Sequence, residues 1–510
     1  MTTWNPHKPG HWFSLKQWLN RLPVLLLALG SVTLLFQMLS LPTNTTLRRD
    51  STDTMNAEFV DSLTPNKPTA ELEVSEEDLL HLSLLHESCV TDTNVTLSWQ
   101  YGSPGHQGPN GKATNPQEVI QANDPNLLKK LRQCPDVDIF LPVGLHDNGY
   151  CEDAVAYTKY LKSRLLPLWA LEVKMYDPEV GHEVDYYDLC PTTPMIFFNH
   201  YWDGVPSSPR WPDNKPVYLM PNIEMIELTP EHYWKTDVVL CKTKVCYDRV
   251  TRWYEEEDNP RNTKVFYTKH TSSDQAQFAR KRLGDDAIAP KDFSDVTFVH
   301  TPGSSIWKGT KQLLDCWTST RGLPPLDIYM KESSYNFLMK LMNGDYGKWV
   351  WWYSKSTVNL HFGMMDRLSF SKLTAEAAFL MCPSVSEGYG HYINQARAAG
   401  AVIVTTDAPP MNELISSSEM GVLVPTRIEK DGRMMLGGNY SEKHGLKNVD
   451  GLLAAVTGDD ICESVKMLIS STTTEQRAAM GAYARAQYHK DTKFFAHAMN
   501  ELRKFARRNS

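Results

Sequence analysis

The sequence predicts an α/β protein: two Rossmann-like domains facing a cleft, plus an N-terminal transmembrane helix. Three observations predict it. From residue 135 onward, short apolar segments alternate with amphipathic ones, and the alternation runs through two successive series, as in parallel sheets covered by helices on both faces. The chain has 510 residues, too many for one core and suited to two domains with accessory segments. One uncharged apolar run, 22–41, is long enough to cross a bilayer.

Taken in order, the run 22–41 reads LPVLLLALGSVTLLFQMLSL and as a helix rises about 30 Å. Lys8, Lys16 and Arg21 precede it without an acid, whereas Asp50, Asp53, Glu58 and Asp61 follow Arg48 and Arg49. That bias predicts a cytosolic N-terminus and a lumenal body. The competing reading is a cleaved signal peptide, whose apolar core spans about 7–15 residues, and no small-x-small site follows Ser40. Thr, Ser, Asn, Asp and Pro dominate 43–74, which reads as a disordered stem. Ser75-Glu76-Glu77-Asp78 before Leu79 marks a helix start, and 102–111 is loop.

The first series predicts a strand at 136–143 (DVDIFLPV), a helix at 152–166, and strands at 168–175, 194–198, 217–220, 237–240 and 264–268. The second predicts strands at 296–300, 326–330, 357–362, 379–382 and 401–405, with helices at 309–317, from about 369, and at 391–399. A linker lies near 284–291, and 475–507 is a long amphipathic helix with Ala479, Tyr483, Phe494, Phe495 and Leu502 on its apolar face. The expected domains are a cytosolic tail 1–21, an anchor 22–41, a stem and lead-in 42–130, an N-terminal domain 131–285, a C-terminal domain 290–475 and crossover helices 476–510.

A formal charge of −8 gives no nucleic-acid footprint. Asn44, Asn94 and Asn439 each begin an Asn-x-Ser/Thr triplet, which fits a lumenal body. Nine cysteines permit an oxidising compartment, with one left over. Cys241 and Cys246 flank a short turn without an accompanying His or second Cys pair, so no zinc site is predicted.

The most informative segment is 382–414, CPSVSEGYGHYINQARAAGAVIVTTDAPPMNEL. It reads as strand, tight turn, helix, Gly break, buried strand and loop. Gly388 and Gly390 allow a sharp turn and close approach to a ligand. The helix from His391 aims free N–H groups and the positive end of its dipole into that turn, where a phosphate binds naturally. Glu387 sits at the carboxyl end of the strand, where open α/β sheets receive ligands, and its carboxylate can accept from sugar hydroxyls.

Pro383, Ser384, Glu387, Gly388, Tyr389, Gly390, Gly400, Val402, Val404, Thr405, Asp407 and Glu413 together resemble the donor site of retaining GT-B glycosyltransferases of the glycosyltransferase group 1 (family 4-like) type. Upstream, 298–309 is similar to that family's strand, loop and Lys-Gly pair. The resemblance implies that Glu387 contacts the donor sugar and that Lys308 neutralises the diphosphate leaving group. It also implies that Gly303, Ser304, Ser305, Gly388, Tyr389, Gly390, His391 and Tyr392 line the diphosphate site. Departing diphosphate develops negative charge, which needs a cation or helix end. Two departures stand out. Where the pattern has a second Glu for the ribose, this sequence has Gln395, and where the family often has a loop Arg, it has Ser304 and Ser305.

The N-terminal half is expected to present the acceptor through its strand-end residues: Asn148 and Gly149, Asn199 and His200, Asn222 and Glu224, Lys242 and Thr243. Glu224 or His200 would orient or deprotonate the acceptor hydroxyl. Asp136-Val137-Asp138 begins a strand and is read as structural; with the resemblance, no bound metal and no resident cofactor are expected, the nucleotide sugar being a co-substrate. The apolar run, the charge bias around it and the Asn-x-Ser/Thr triplets imply a single-pass type II membrane protein of the Golgi or ER lumen, and the resemblance implies its activity. It would transfer a sugar from a nucleotide-diphosphate donor to a glycan, lipid or protein hydroxyl with retention. The alternative is a catalytically degenerate sugar- or nucleotide-binding pseudo-transferase.

Overall fold

A computed structural model describes residues 74–103, 119–146, 149–341 and 356–509, all within one unit spanning 58–510. The anchor 22–41, the stem up to residue 73, Asn44 and Asn148 lie outside the described residues. Among the described residues no helix is long and apolar enough to cross a membrane.

Within the segment 42–130, the lead-in from Val74 onward belongs to the folded body. Helix α1 (Glu76–Thr91) starts at Ser75, whose side chain accepts from Asp78 N while Asp78 returns a bond to the Ser75 backbone. Glu76, Glu77 and Asp78 complement the dipole of its first turn. Leu82, Leu85 and Cys89 of α1 enter the main core of the N-terminal half. Strands β1 (Thr96–Ser98) and β2 (Val119–Ile120) add an antiparallel edge to that half's sheet.

The N-terminal half follows with β3 (Asp138–Phe140), α2 (Tyr150–Tyr160), β4 (Arg164–Leu166), β5 (Met195–Phe198), β6 (Val217–Met220), β7 (Val238–Cys241), α3 (Lys244–Glu256), β8 (Lys264–Tyr267) and α4 (Gln275–Leu283). Its eight-stranded sheet is ordered β8-β7-β6-β5-β3-β4-β1-β2, parallel from β8 to β4. Two expectations are corrected here. The helix read as 152–166 ends at Tyr160, because the backbone turns left-handed at Lys162 (φ 52°) and re-enters the sheet as β4. The strand read as 168–175 is a short helix, Leu168–Glu172, since Pro167 stands at its cap in extended conformation and closes β4.

The C-terminal half carries β9 (Phe298–Gly303), α5 (Thr310–Ser319), β10 (Leu326–Met330), β11 (Val358–Phe362), α6 (Arg367–Glu376), β12 (Phe379–Cys382), α7 (His391–Ala398), β13 (Val402–Thr406) and β14 (Gly421–Val424). Its six-stranded sheet is wholly parallel and ordered β11-β10-β9-β12-β13-β14. The central strands are buried on both faces: β12 and β13 read FLMC and VIVTT with no exposed position.

Three devices join the halves. Helix α8 (Thr474–Asn509) places Met480 in the core of the C-terminal half and Phe495, Met499 and Leu502 in the core of the N-terminal half. Of the expected apolar face, Phe495 and Leu502 are buried, whereas in the first part of the helix Met480, Ala484 and Tyr488 turn inward and Ala479 and Tyr483 are exposed. Second, an arm of residues 430–452 leaves the paired strands Arg427–Glu429 and Leu453–Ala455 and lies on the N-terminal half. There Met434, Met435, Leu436 and Tyr440 pack with Leu219, Tyr233, Val239 and Trp253. Buried Arg249 donates to the arm's Leu436 O at 2.6 Å and Gly451 O at 3.0 Å. Third, Glu413 accepts from Lys244 N at 2.6 Å and Val245 N at 2.8 Å, capping α3 from the other half.

Eight of the nine cysteines form the pairs Cys89–Cys151, Cys134–Cys190, Cys241–Cys246 and Cys316–Cys462, and Cys382 is free and buried in β12.

Candidate functional site

In the C-terminal sheet the strand order reverses between β9 and β12, and open α/β sheets receive ligands at that point, beyond the carboxyl ends of the strands. The loops leaving these two strands are laced together by Val385 N donating to Trp307 O at 2.8 Å. Gly309 (φ 73°) must lack a side chain, because a Cβ there would lie 2.0 Å from Pro383 O. The two loops bring Lys308 and Glu387 into a salt bridge whose side chains are only 19% and 9% exposed. Ser384 Oγ bonds both Glu387 and the Tyr392 hydroxyl, and Lys308 Nζ stands 4.1 Å above the Tyr392 ring. Gly390 takes φ 99° at the cap of α7, which only glycine adopts without strain. Nearby, Gly303 turns left-handed (φ 61°), Ser304 O accepts from Ser334 Oγ at 3.1 Å, and Ser305 Oγ accepts from Trp307 N at 3.2 Å.

The facing wall comes from the N-terminal half. After β5, Asn199 sits at φ 61°, accepts from Asn222 N at 2.6 Å and donates to the Tyr150 hydroxyl at 2.8 Å. Asn222 presses on the Glu387 turn: a Cβ on Gly388 would fall 2.2 Å from Asn222 Cγ. Gly388 therefore makes room for Asn222, where the sequence suggested room for a ligand. Glu224 follows, with Oε2 buried and lacking a hydrogen-bond partner among the described residues. Burial raises its carboxyl to about 7; its own backbone N–H and Lys242 oppose this rise, and Glu387 adds to it.

A second charged cluster lies beside α7. Asp153 Oδ1 is 2.9 Å from Lys242 Nζ, 2.9 Å from His270 Nε2 and 3.1 Å from His391 Nε2. Burial would raise the Asp153 carboxyl, but Lys242, His391 and the contacts of both histidines hold it well below its ordinary value. Ser272 Oγ meets His391 Nδ1 at 2.8 Å, and the Tyr389 hydroxyl donates to His270 O at 2.8 Å. Asp153, His270 and His391 lie within common reach of a metal ion, yet the Lys242 ammonium already shares their carboxylate.

Two further expected residues make contacts within the protein. Gln395 is buried and its amide donates to Glu152 Oε1 of the N-terminal half at 2.7 Å. Glu152 also accepts from Ser273 N at 2.9 Å and Ser273 Oγ at 2.5 Å. His200 is half-buried against Trp202 (4.8 Å between rings) and His232 (5.3 Å), and burial lowers its pKa. Glu152, Asp153, His270 and Ser272 were not singled out in the sequence; in the structure the two acids fall in the first turn of α2. Two surface cavities, of about 610 and 780 Å³, lie elsewhere and are lined by neither Lys308 nor Glu387.

No protein-family model and no curated protein match the chain. The chain is similar to solved structures. A glycosyltransferase from Rickettsia africae aligns over 74% of this chain and 100% of its own, at 11% identity and TM-score 0.48. The alpha,alpha-trehalose 6-phosphate synthase of Burkholderia multivorans aligns over 62% and 70%, at 10% identity and TM-score 0.44. Sucrose-phosphate synthase from Thermosynechococcus elongatus aligns over 68% and 83%, at 12% identity and TM-score 0.44.

Proposed function

We propose that the chain is a glycosyltransferase that moves a sugar from a nucleotide-diphosphate donor to an acceptor hydroxyl with retained anomeric configuration. The observation that carries this reading is the Lys308–Glu387 pair at the β9/β12 switch point, facing Glu224 across the cleft. In the reaction the bond from the anomeric carbon to the diphosphate oxygen breaks. The acceptor oxygen bonds that carbon from the same face, and the hydroxyl proton passes to the departing diphosphate. Glu387 orients the donor sugar, Lys308 and the start of α7 stabilise the leaving charge, and Glu224 positions the acceptor hydroxyl. The nucleotide sugar is a co-substrate, with no resident cofactor or metal.

The setting we propose is the Golgi or ER lumen, with 22–41 as a type II anchor. Four disulfides suit an oxidising compartment, and Asn94 and Asn439 are exposed for glycosylation. The acceptor would be a glycan, lipid or protein.

A second reading, a sugar- or nucleotide-binding pseudo-transferase, is favoured by specific contacts: Gln395 is tied to Glu152, and Asp153 lies against His391 at the head of α7. A panel of nucleotide sugars separates the two. Hydrolysis or transfer by the native protein, lost in Glu387→Ala, supports the transferase. Binding seen as a raised melting temperature without turnover supports the pseudo-enzyme.

A further inference from the structure

A nucleoside diphosphate carries several negative charges, and one lysine at the mouth of the cleft balances only part of them. Lys308 is moreover shared with Glu387. The loop positions before it, Ser304 and Ser305, add hydroxyls and no charge. The N-terminal half holds another ammonium close by. Lys242 leaves the carboxyl end of β7, is buried, and stands 5.8 Å over the ring of Tyr389, a residue of the Glu387 turn itself. Lys308 in turn stands 4.1 Å over the ring of Tyr392, three residues further along the same segment. The Lys242 counter-charge is Asp153, at 2.9 and 3.1 Å, and the same Asp153 oxygen lies 3.1 Å from Nε2 of His391, the first residue of α7. A carboxylate oxygen held between an ammonium and two imidazoles, one of them on the first residue of α7, makes the contacts a phosphate oxygen would make.

We infer that Lys242 is a second cation of the diphosphate site, contributed by the N-terminal half, and that Asp153 holds its place until a nucleoside diphosphate arrives. The inference rests on the transferase reading and adds to it a residue from the opposite wall. Binding then exchanges partners: Lys242 and His391 pass from Asp153 to the diphosphate, no covalent bond changing. The exchange makes Asp153 a competitor of the ligand, and removing its charge strengthens binding.

The test is calorimetric titration of the full-length protein in detergent with UDP, GDP and ADP, each beside its parent nucleoside. Asp153→Asn is expected to tighten the bound diphosphate roughly tenfold or more, with nucleoside affinity unchanged, and adding Lys242→Met in that background to reverse the gain by a similar factor. A merely structural ion pair would shift diphosphate and nucleoside together. Should Asp153→Asn fail to fold alone, its rescue by millimolar diphosphate, seen as a cooperative melt, supports the inference, and absence of rescue overturns it. If the native protein binds a diphosphate and the variants bind it equally well, Lys242 has no such role and the transferase reading survives. If neither the native protein nor Asp153→Asn binds any of the three, both fail.

Discussion

Replacing Glu224 with Gln isolates the cost of ionising a carboxyl in the cleft. Burial moves this group from an ordinary value of 4.5 to about 7. The folded protein therefore keeps the proton over a range where the unfolded chain has lost it. An acid raised in the folded state loses stability as pH climbs through that window, from the unfolded value up to the folded one. The whole shift is worth about 3 kcal/mol above both values, and about 2 kcal/mol of it falls between about pH 5.5 and about pH 8. Glu224→Gln keeps the shape and cannot ionise. Urea unfolding of both proteins at the two pH values gives the assay. The stability difference between variant and native protein should move in the variant's favour by about 2 kcal/mol from the lower pH to the higher. A stability difference that does not change with pH would show that Glu224 is not held protonated, and its role at the acceptor hydroxyl would go with it.

Other outcomes follow from single contacts. Lys308→Met should lower turnover by about 10²–10³, chiefly in kcat, with an unchanged circular dichroism spectrum, because it removes charge needed as the diphosphate departs. Gly388→Ala drives a methyl group onto Asn222 and should cost about 1–3 kcal/mol in thermal unfolding, with loss of transfer. Arg249→Met strands two carbonyls of the arm, Leu436 O and Gly451 O; a loss of about 3 kcal/mol and faster proteolytic nicking within 430–452 are expected. Glu413→Ala uncaps α3 for about 1–2 kcal/mol, read as faster hydrogen exchange at the amides of Lys244 and Val245.

Much of the parallel architecture was legible in the chain because a strand buried on both faces must be apolar throughout, and FLMC falls where β12 stands; LDIYM, at β10, buries its alternate apolar positions. Glu387 was legible from the strand end and the turn glycines Gly388 and Gly390, and Lys308 only through the resemblance carried by 298–309. What escaped was long-range. The short edge strand β1 is defined by pairing with β4, and β2 by pairing with β1, which local pattern does not encode. The end of α2 escaped because Lys162 adopts a left-handed backbone that its residue type does not advertise. Gln395 pointed toward a ribose on pattern, and only the folded chain reveals Glu152 within reach of its amide. The arm 430–452 reads as loop, since its methionines have no period of their own and gain order from Trp253 and Tyr233.

That arm bears on how the molecule is made. Its apolar side chains are covered by residues encoded some two hundred positions earlier, and α8 returns to the first core last of all. A ribosome therefore releases a first half whose aromatic flank stays bare until the second half has emerged. Cutting the chain at the linker near 284–291 would yield two pieces, each with an exposed greasy face, and neither should be recoverable in soluble form without the other.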